Sequence, residues 1–217
     1  GYVSSVYDYV PPVVKKVIKS LINKEFGKVL SFSYYVGQYL ADWHPWENYK
    51  DFFVGKKETN GCRELFIMDI GLILKIFGKM SGLIALSSKV SDLDLDYEDV
   101  YAILAKFKNN ISGNILIDVV NNQPTRELNI LCENGNIDLD LINKTLVKRS
   151  TTNGKLDKEI TFVLKEPAEK MYIEEMKAFL KFLETNKKIM DFSDETNSLK
   201  VADHIEASVA TGYWEKL

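Results

Sequence analysis

The sequence predicts an α+β domain: a mostly antiparallel open sheet with helices packed on one face. Three observations lead there. Residues 82–164 alternate apolar and polar side chains with a period of two, cut by turn signals. Stretches with helical spacing precede and follow that block. The chain has 217 residues, 46% hydrophobic and 27% charged, an ordinary balance for a globular protein with one sizeable core.

The elements follow in order. GYVSSVY reads as a strand at the very first residue, with Val3, Val6 and Tyr7 apolar. A chain that starts in mid-strand and without methionine suggests a fragment of something longer. Pro11 and Pro12 then open a helix over VVKKVIKSLINKEFG. Its apolar positions Val13, Val14, Val17, Ile18, Leu21 and Ile22 share a face, and Gly27 stops it. KVLSFSYYVGQYL alternates and is rich in aromatic and β-branched residues, so it is a strand. ADWHPWENYKDFFVGKKETNG has no clear period and is a long loop. Loops of that length inside a compact domain are usually functional or disordered, and this one is too aromatic for disorder.

NGCRELFIMDIGLILKIFGK comes next. Between Leu65 and Phe77 only Asp69 and Lys75 are charged. A helix apolar on nearly every face is either buried or in a membrane. A membrane span needs about 20 apolar residues, and this run is shorter and interrupted, so the helix is expected at the centre of the domain. GLIALSSKVS, DVYAILAKFKN, GNILIDVVN, RELNILCEN, NIDLDLI, KTLVKRST and KEITFVL then read as successive strands of a meander. Asn134-Gly135 and Asn153-Gly154 are expected to form tight hairpins. Past Pro167, EKMYIEEMKAFLKFLETNKK is an amphipathic helix with Tyr172, Met176, Phe179, Leu180 and Leu183 on one stripe. A last helix runs from Ser193 to Gly212 on an apolar line of Leu199, Ala202, Ile205 and Val209. The outward face of the sheet is mixed, with Leu104 beside Lys106 and Leu116 beside Asp118. Such a face invites pairing with another copy.

Composition excludes several function classes. A net charge of −3 makes no electrostatic case for nucleic acid. Neither a signal peptide nor a span is visible, so a cytoplasmic protein away from membranes is expected. Two cysteines, Cys62 and Cys132, fit a reducing compartment better than a disulfide scaffold. With two histidines, His44 and His204, they are too scattered for a zinc site, and His204 reads as a packing residue. There is no P-loop, no GxGxxG turn and no convincing Ser-His-Asp set.

The chemistry on offer sits in two places. In the aromatic loop, Trp43, Trp46 and Tyr49 either stack on sugar rings or staple the loop to the sheet, with His44 between the tryptophans. At the mouth of the apolar helix stand Arg63 and Glu64. The helix dipole favours Glu64 there but not Arg63. Arg63 therefore needs another reason, such as pairing with Glu64 or Asp42, or an anionic ligand. A carboxylate at that place is suited to orient a sugar hydroxyl or a catalytic group.

These segments together resemble the C-terminal domain of the Gfo/Idh/MocA family of NAD(P)-dependent sugar and inositol dehydrogenases. YLADWHPWENYKDFFVGKKETNG is similar to the "lpDWhPweDYr" loop of one branch. IFGK at residues 76–79 looks like the end of the family's active-site helix. MYIEEMKAFLKFLE and SLKVADHIEASVATG resemble its two closing helices. The resemblance implies that residues 1–26 are a junction from a cofactor domain that precedes this region, and that 27–217 are the substrate and oligomerisation domain. It implies NAD or NADP in the full-length protein but no tight binding by this region, a sugar or sugar derivative as substrate, and a dimer or tetramer formed through the sheet. No metal is implied. Arg63, Glu64, Trp43, His44, Trp46 and Tyr49 are the implied substrate-binding residues.

The sequence also departs from the family. Where many members carry D-x-x-x-H, this chain has Glu64 and Met68, and the acid that usually follows falls on Gly71. Methionine cannot carry a proton. Glu64 remains the catalytic candidate, with the absent lysine of the cofactor domain, His44 or Tyr49 as replacement proton carriers. The competing expectations are a non-catalytic binding or assembly module, and a related NAD-using epimerase or glycosidase.

Overall fold

The computed structural model describes residues 11–165, 167, 169–186 and 192–217. The expected opening strand GYVSSVY lies outside them. Helix α1 (Pro12–Ile22) leads to β1 (Val29–Gly37), two short 3-10 turns at Leu40–Asp42 and Phe53–Gly55, and α2 (Gly61–Phe77). Then come β2 (Met80–Ser88), β3 (Val100–Phe107), β4 (Ser112–Asp118), β5 (Thr125–Cys132), β6 (Gly135–Asp140), β7 (Thr145–Thr152) and β8 (Lys155–Val163). Helices α3 (Lys170–Thr185) and α4 (Phe192–Thr211) and the short β9 (Glu215–Lys216) complete the described chain.

The strands form one nine-stranded sheet in the order β8-β7-β6-β5-β1-β4-β3-β2-β9. The expected simple meander is interrupted. β1 inserts between β4 and β5, parallel to β4 and antiparallel to β5, and the remaining neighbours are antiparallel. Phe32, Tyr34 and Val36 alternate along β1 and are all buried, so this strand forms the spine of the core. Both of its edges are paired from Ser31 to Gly37, with a register irregularity at Leu30 on the β5 side.

One face of the sheet carries the core. Leu83, Ile103, Phe107, Ile115, Ile117, Leu128, Ile130, Ile137 and Leu146 meet Val13, Val14 and Val17 of α1, the buried side of α2, and Val201, Ala202 and Ile205 of α4. Each such burial is worth about 1.5–3 kcal/mol. Lys148 of β7 ties down the end of α1, 2.6 Å from Glu25 Oε2 and 3.2 Å from Ser20 Oγ. Helix α3 is different. Its expected stripe does not enter this core: Tyr172, Met176, Leu180 and Leu183 are exposed, and no residue of the helix is buried.

The two Asn-Gly pairs use their glycines differently. Asn153 and Gly154 both take positive φ, 52° and 74°, as a tight two-residue turn between right-twisted strands requires. At Asn134-Gly135 the turn lies one residue earlier than expected. Gly135 already pairs with Cys132 across the ladder, so Glu133 and Asn134 make the turn. Gly135 is needed for close approach, since a Cβ there would lie 2.0 Å from the Arg149 carbonyl oxygen.

Beneath the end of α2, Phe77 stacks on Phe32 of β1 at 4.2 Å and meets Phe107 of β3 edge-on at 5.8 Å. Gly113 of β4 makes room for this trio, because a Cβ there would sit 2.4 Å from the Phe32 ring. Gly113→Ala is therefore expected to cost about 1–3 kcal/mol by overpacking. Urea denaturation checks this, and an unchanged midpoint would show that the trio yields freely.

Candidate functional site

The N-terminus of α2 is built to one position. Asn60 caps it in a left-handed conformation, φ 44°, accepting from Cys62 N at 2.9 Å and Arg63 N at 3.3 Å. Its amide donates to the Tyr101 hydroxyl at 3.0 Å, while the Tyr97 hydroxyl accepts from Gly61 N at 3.2 Å and donates to Val54 O at 2.6 Å. Gly61 leaves no spare space: a Cβ would meet Tyr97, Val119 and Leu40 at 3.1–3.2 Å. Cys62 is buried beside this cap, and burial pushes its thiol well above the usual range.

From that fixed start, α2 turns two kinds of residue apart. Arg63 does not pair with Glu64 or Asp42. It reaches α4, with Nη2 at 3.0 Å from Asp203 Oδ1 and Nη1 at 3.8 Å from Glu206 Oε1. The guanidinium thus clamps two helices together over a small pocket that Cys62, Phe66, Tyr101, Ala202 and Ile205 also line. Glu64, Met68 and Gly71 form a half-buried stripe along the same helix, flanked by Ile67 and Leu74, which are also half-buried but pack against the core. Glu64 has no partner among the described residues, and burial alone raises its carboxyl above the usual range. So this helix is not buried all round. One side of it is only half-buried, with a carboxylate one turn in from its start.

Asp69 lies on the buried side. Arg126 Nε of β5 stands 3.4 Å from its Oδ2, without the geometry of a well-formed hydrogen bond. Burial pushes this carboxyl up to about 6, while the Arg126 charge and the Tyr34 hydroxyl pull the other way. The sequence showed Asp69 only as an interruption of an apolar run. A lone acid in a buried helix must find a cation, which was the available signal. Its partner is 57 residues away in the chain and carries no local mark.

The aromatic loop is tethered rather than free. Trp43 packs against the core and donates from Nε1 to Gln38 O at 3.3 Å. Tyr49 also packs there, and its hydroxyl accepts from Asp94 N at 3.1 Å, next to a Lys50–Asp94 ion pair. The segment that carries Asp94 and Tyr97 is held by buried Asp99, which accepts from Val90 N at 2.7 Å and Ser91 N at 3.0 Å. His44 and Trp46 are brought together, with ring centroids 5.0 Å apart, and His44 stacks on Phe52 at 4.0 Å. Trp46 is 77% exposed. Of the residues singled out from sequence, Trp43 and Tyr49 staple the loop, His44 and Trp46 form its outer part, Arg63 joins helices, and Glu64 and Met68 line the half-buried stripe.

Among the described residues, no group of three or more His, Cys, Asp or Glu side chains could hold a metal ion, and no helix is long and apolar enough to cross a membrane. No glycine-rich phosphate turn occurs in the sequence. The parallel pair β1/β4 is joined through α2 and two further strands rather than by a single crossover helix.

No protein-family model matches the chain, and no curated protein matches its sequence. Solved structures do match its fold. Levoglucosan dehydrogenase in complex with NADH and levoglucosan is similar with a TM-score of 0.78 at 15% identity, over 95% of this chain and 65% of that one. An NAD binding oxidoreductase from Klebsiella pneumoniae is similar at 0.78 and 11% identity, over 98% and 65%. An oxidoreductase from Agrobacterium radiobacter, in complex with NAD+, L-tartaric acid and magnesium, is similar at 0.71 and 15% identity, over 94% and 61%. The chain thus spans less than two thirds of the length of these oxidoreductases and shares their fold.

Asp69 makes stability depend on pH in an unusual direction. Its folded pKa of about 6 lies above the unfolded value of about 3.9. Between these values the folded state holds the extra proton, so stability falls as pH rises. The loss should reach about 3 kcal/mol above pH of about 6. Asp69→Asn should remove that part of the slope. Denaturation curves across this range test it, and equal slopes for both proteins would contradict the assignment.

Proposed function

We propose that this chain is the substrate-binding and oligomerisation part of an NAD(P)-dependent oxidoreductase acting on a sugar or sugar derivative in the cytoplasm. The observation that carries the reading is the half-buried stripe of α2. It presents a partly desolvated carboxylate, Glu64, beside Met68 and Gly71, with Lys75 further along the same side, at the position where the resembling family carries its carboxylate. A polyol needs such a combination: an acceptor for hydroxyls beside apolar surface for C–H faces. The shared fold with levoglucosan dehydrogenase supports the same reading. NAD or NADP would be held by another part of the full-length protein, and the aromatic loop with Trp43, His44, Trp46 and Tyr49 would frame the substrate near Arg63 and Glu64.

One observation favours a second reading. Met68 stands on the stripe where a proton carrier is expected. A binding or assembly module that keeps the fold without the chemistry accommodates it, as does an epimerase or glycosidase that uses the dinucleotide differently.

Reduction of NAD+ or NADP+ by the full-length protein across neutral, amino and acidic sugars decides between them. Under the first reading at least one sugar supports reduction, and Glu64→Gln lowers kcat/KM about 100-fold. An unchanged kcat/KM removes Glu64 from the site, and silence across the panel with no dinucleotide bound supports the module.

Self-association is assigned to the outward sheet face, where Leu86, Leu104 and Leu131 are exposed among polar neighbours. Sedimentation should show a dimer or tetramer that Leu104→Lys weakens. A monomer at every concentration would refute this.

A further inference from the structure

Four rings of the aromatic loop form a row. Phe53 meets Phe52 at 4.5 Å, Phe52 meets His44 at 4.0 Å, and His44 meets Trp46 at 5.0 Å. Phe52 packs against the core and anchors the row, and Trp46 ends it at 77% exposure. Its indole face is therefore open to a stacking partner. Here its ring neighbour holds it in place, which lowers the entropy lost when something stacks on it.

The polar groups beside it are equally defined. Glu47 Oε1 lies 2.6 Å from His44 Nδ1. A carboxylate only accepts, so Nδ1 carries a proton and the other ring nitrogen, Nε2, is turned away from Glu47. Among the described residues neither the rest of the Glu47 carboxylate nor Nε2 has a hydrogen-bond partner. Both side chains are about one third exposed, at 33% for His44 and 39% for Glu47. The loop therefore offers an indole face next to an imidazole nitrogen and a carboxylate oxygen that are both unfilled.

We propose that Trp46, His44 and Glu47 form a subsite for a neutral pyranose. The indole stacks on the C–H face of the ring, one hydroxyl hydrogen-bonds with the imidazole Nε2, and its neighbour donates to Glu47. The inference rests on the sugar-active reading and deepens it, because it assigns Glu47 and a charge preference. A uronate or sugar phosphate brings a second negative charge against Glu47 and binds less well.

Titration of the isotope-labelled protein with methyl β-D-glucopyranoside, followed by NMR, tests this directly. The Trp46 indole N–H and the amides of residues 44–47 are expected to shift. The indoles of Trp43, bonded to Gln38, and of Trp214, beside Gly82, serve as internal references and should not. Trp46→Ala, an exposed change that leaves the core intact, should weaken binding about tenfold. Glu47→Gln should weaken the glucoside but bring D-glucuronate closer to it. Shifts confined to Ile67, Met68 and Gly71 would overturn the loop subsite while leaving the sugar-active reading standing. No shift, or equal response to glucoside and glucuronate in the unaltered protein, would overturn the proposal itself. Loop binding by a full-length protein that reduces no dinucleotide would support the subsite and sink the dehydrogenase reading instead.

Discussion

The half-exposed side of α2 depends on that helix being fixed in rotation as well as position. Its start is locked by Asn60, Tyr97 and Tyr101, and its end by the stack of Phe77 on Phe32. A helix with apolar residues nearly all round has no amphipathic preference to orient it. Without those end constraints several faces would serve equally well against the sheet. With them, Leu65, Phe66, Ile70 and Ile73 are buried, and Glu64, Met68 and Gly71 face the half-exposed side.

Two ion pairs on this helix reinforce that choice by different physics. Arg63 is partly solvated and bridges to two acids of α4, so it adds modest stability and much orientation. Asp69 is fully buried, and the cost of stripping water from it exceeds what Arg126 and Tyr34 return, as its raised pKa records. A buried charge with imperfect partners penalises every rotation that separates it from its cation. The pair therefore acts as a register mark between α2 and β5 more than as a source of net stability.

The aromatic loop shows how a long connection becomes structure without regular elements. Trp43, Tyr49 and Phe52 take packing positions, and Tyr97 and Asp94 supply hydrogen bonds from a segment that Asp99 holds in turn. What is left over, Trp46 with His44 and Glu47, is presented on a rigid base. A flexible loop would lose that order on each binding event.

Local physics made most of the fold legible in the sequence. Period-two alternation marked β2 to β8, helical spacing marked α1, α2 and α4, and the length of the apolar run ruled out a membrane span. Arg63 and the aromatic loop residues stood out because their types are unusual for their places, whereas Glu64 sits where the helix dipole favours an acid. Three things depended on contacts distant in the chain. The insertion of β1 between β4 and β5 is a choice among edges with similar local pattern. The assignment of Arg63 to Asp203 and Glu206, and of Asp69 to Arg126, joins residues whose neighbours in sequence say nothing of each other. Composition and periodicity report what a segment wants to bury. Only the assembled sheet decided which side of α2 that burial left half-exposed, because the choice is made by partners more than thirty residues away.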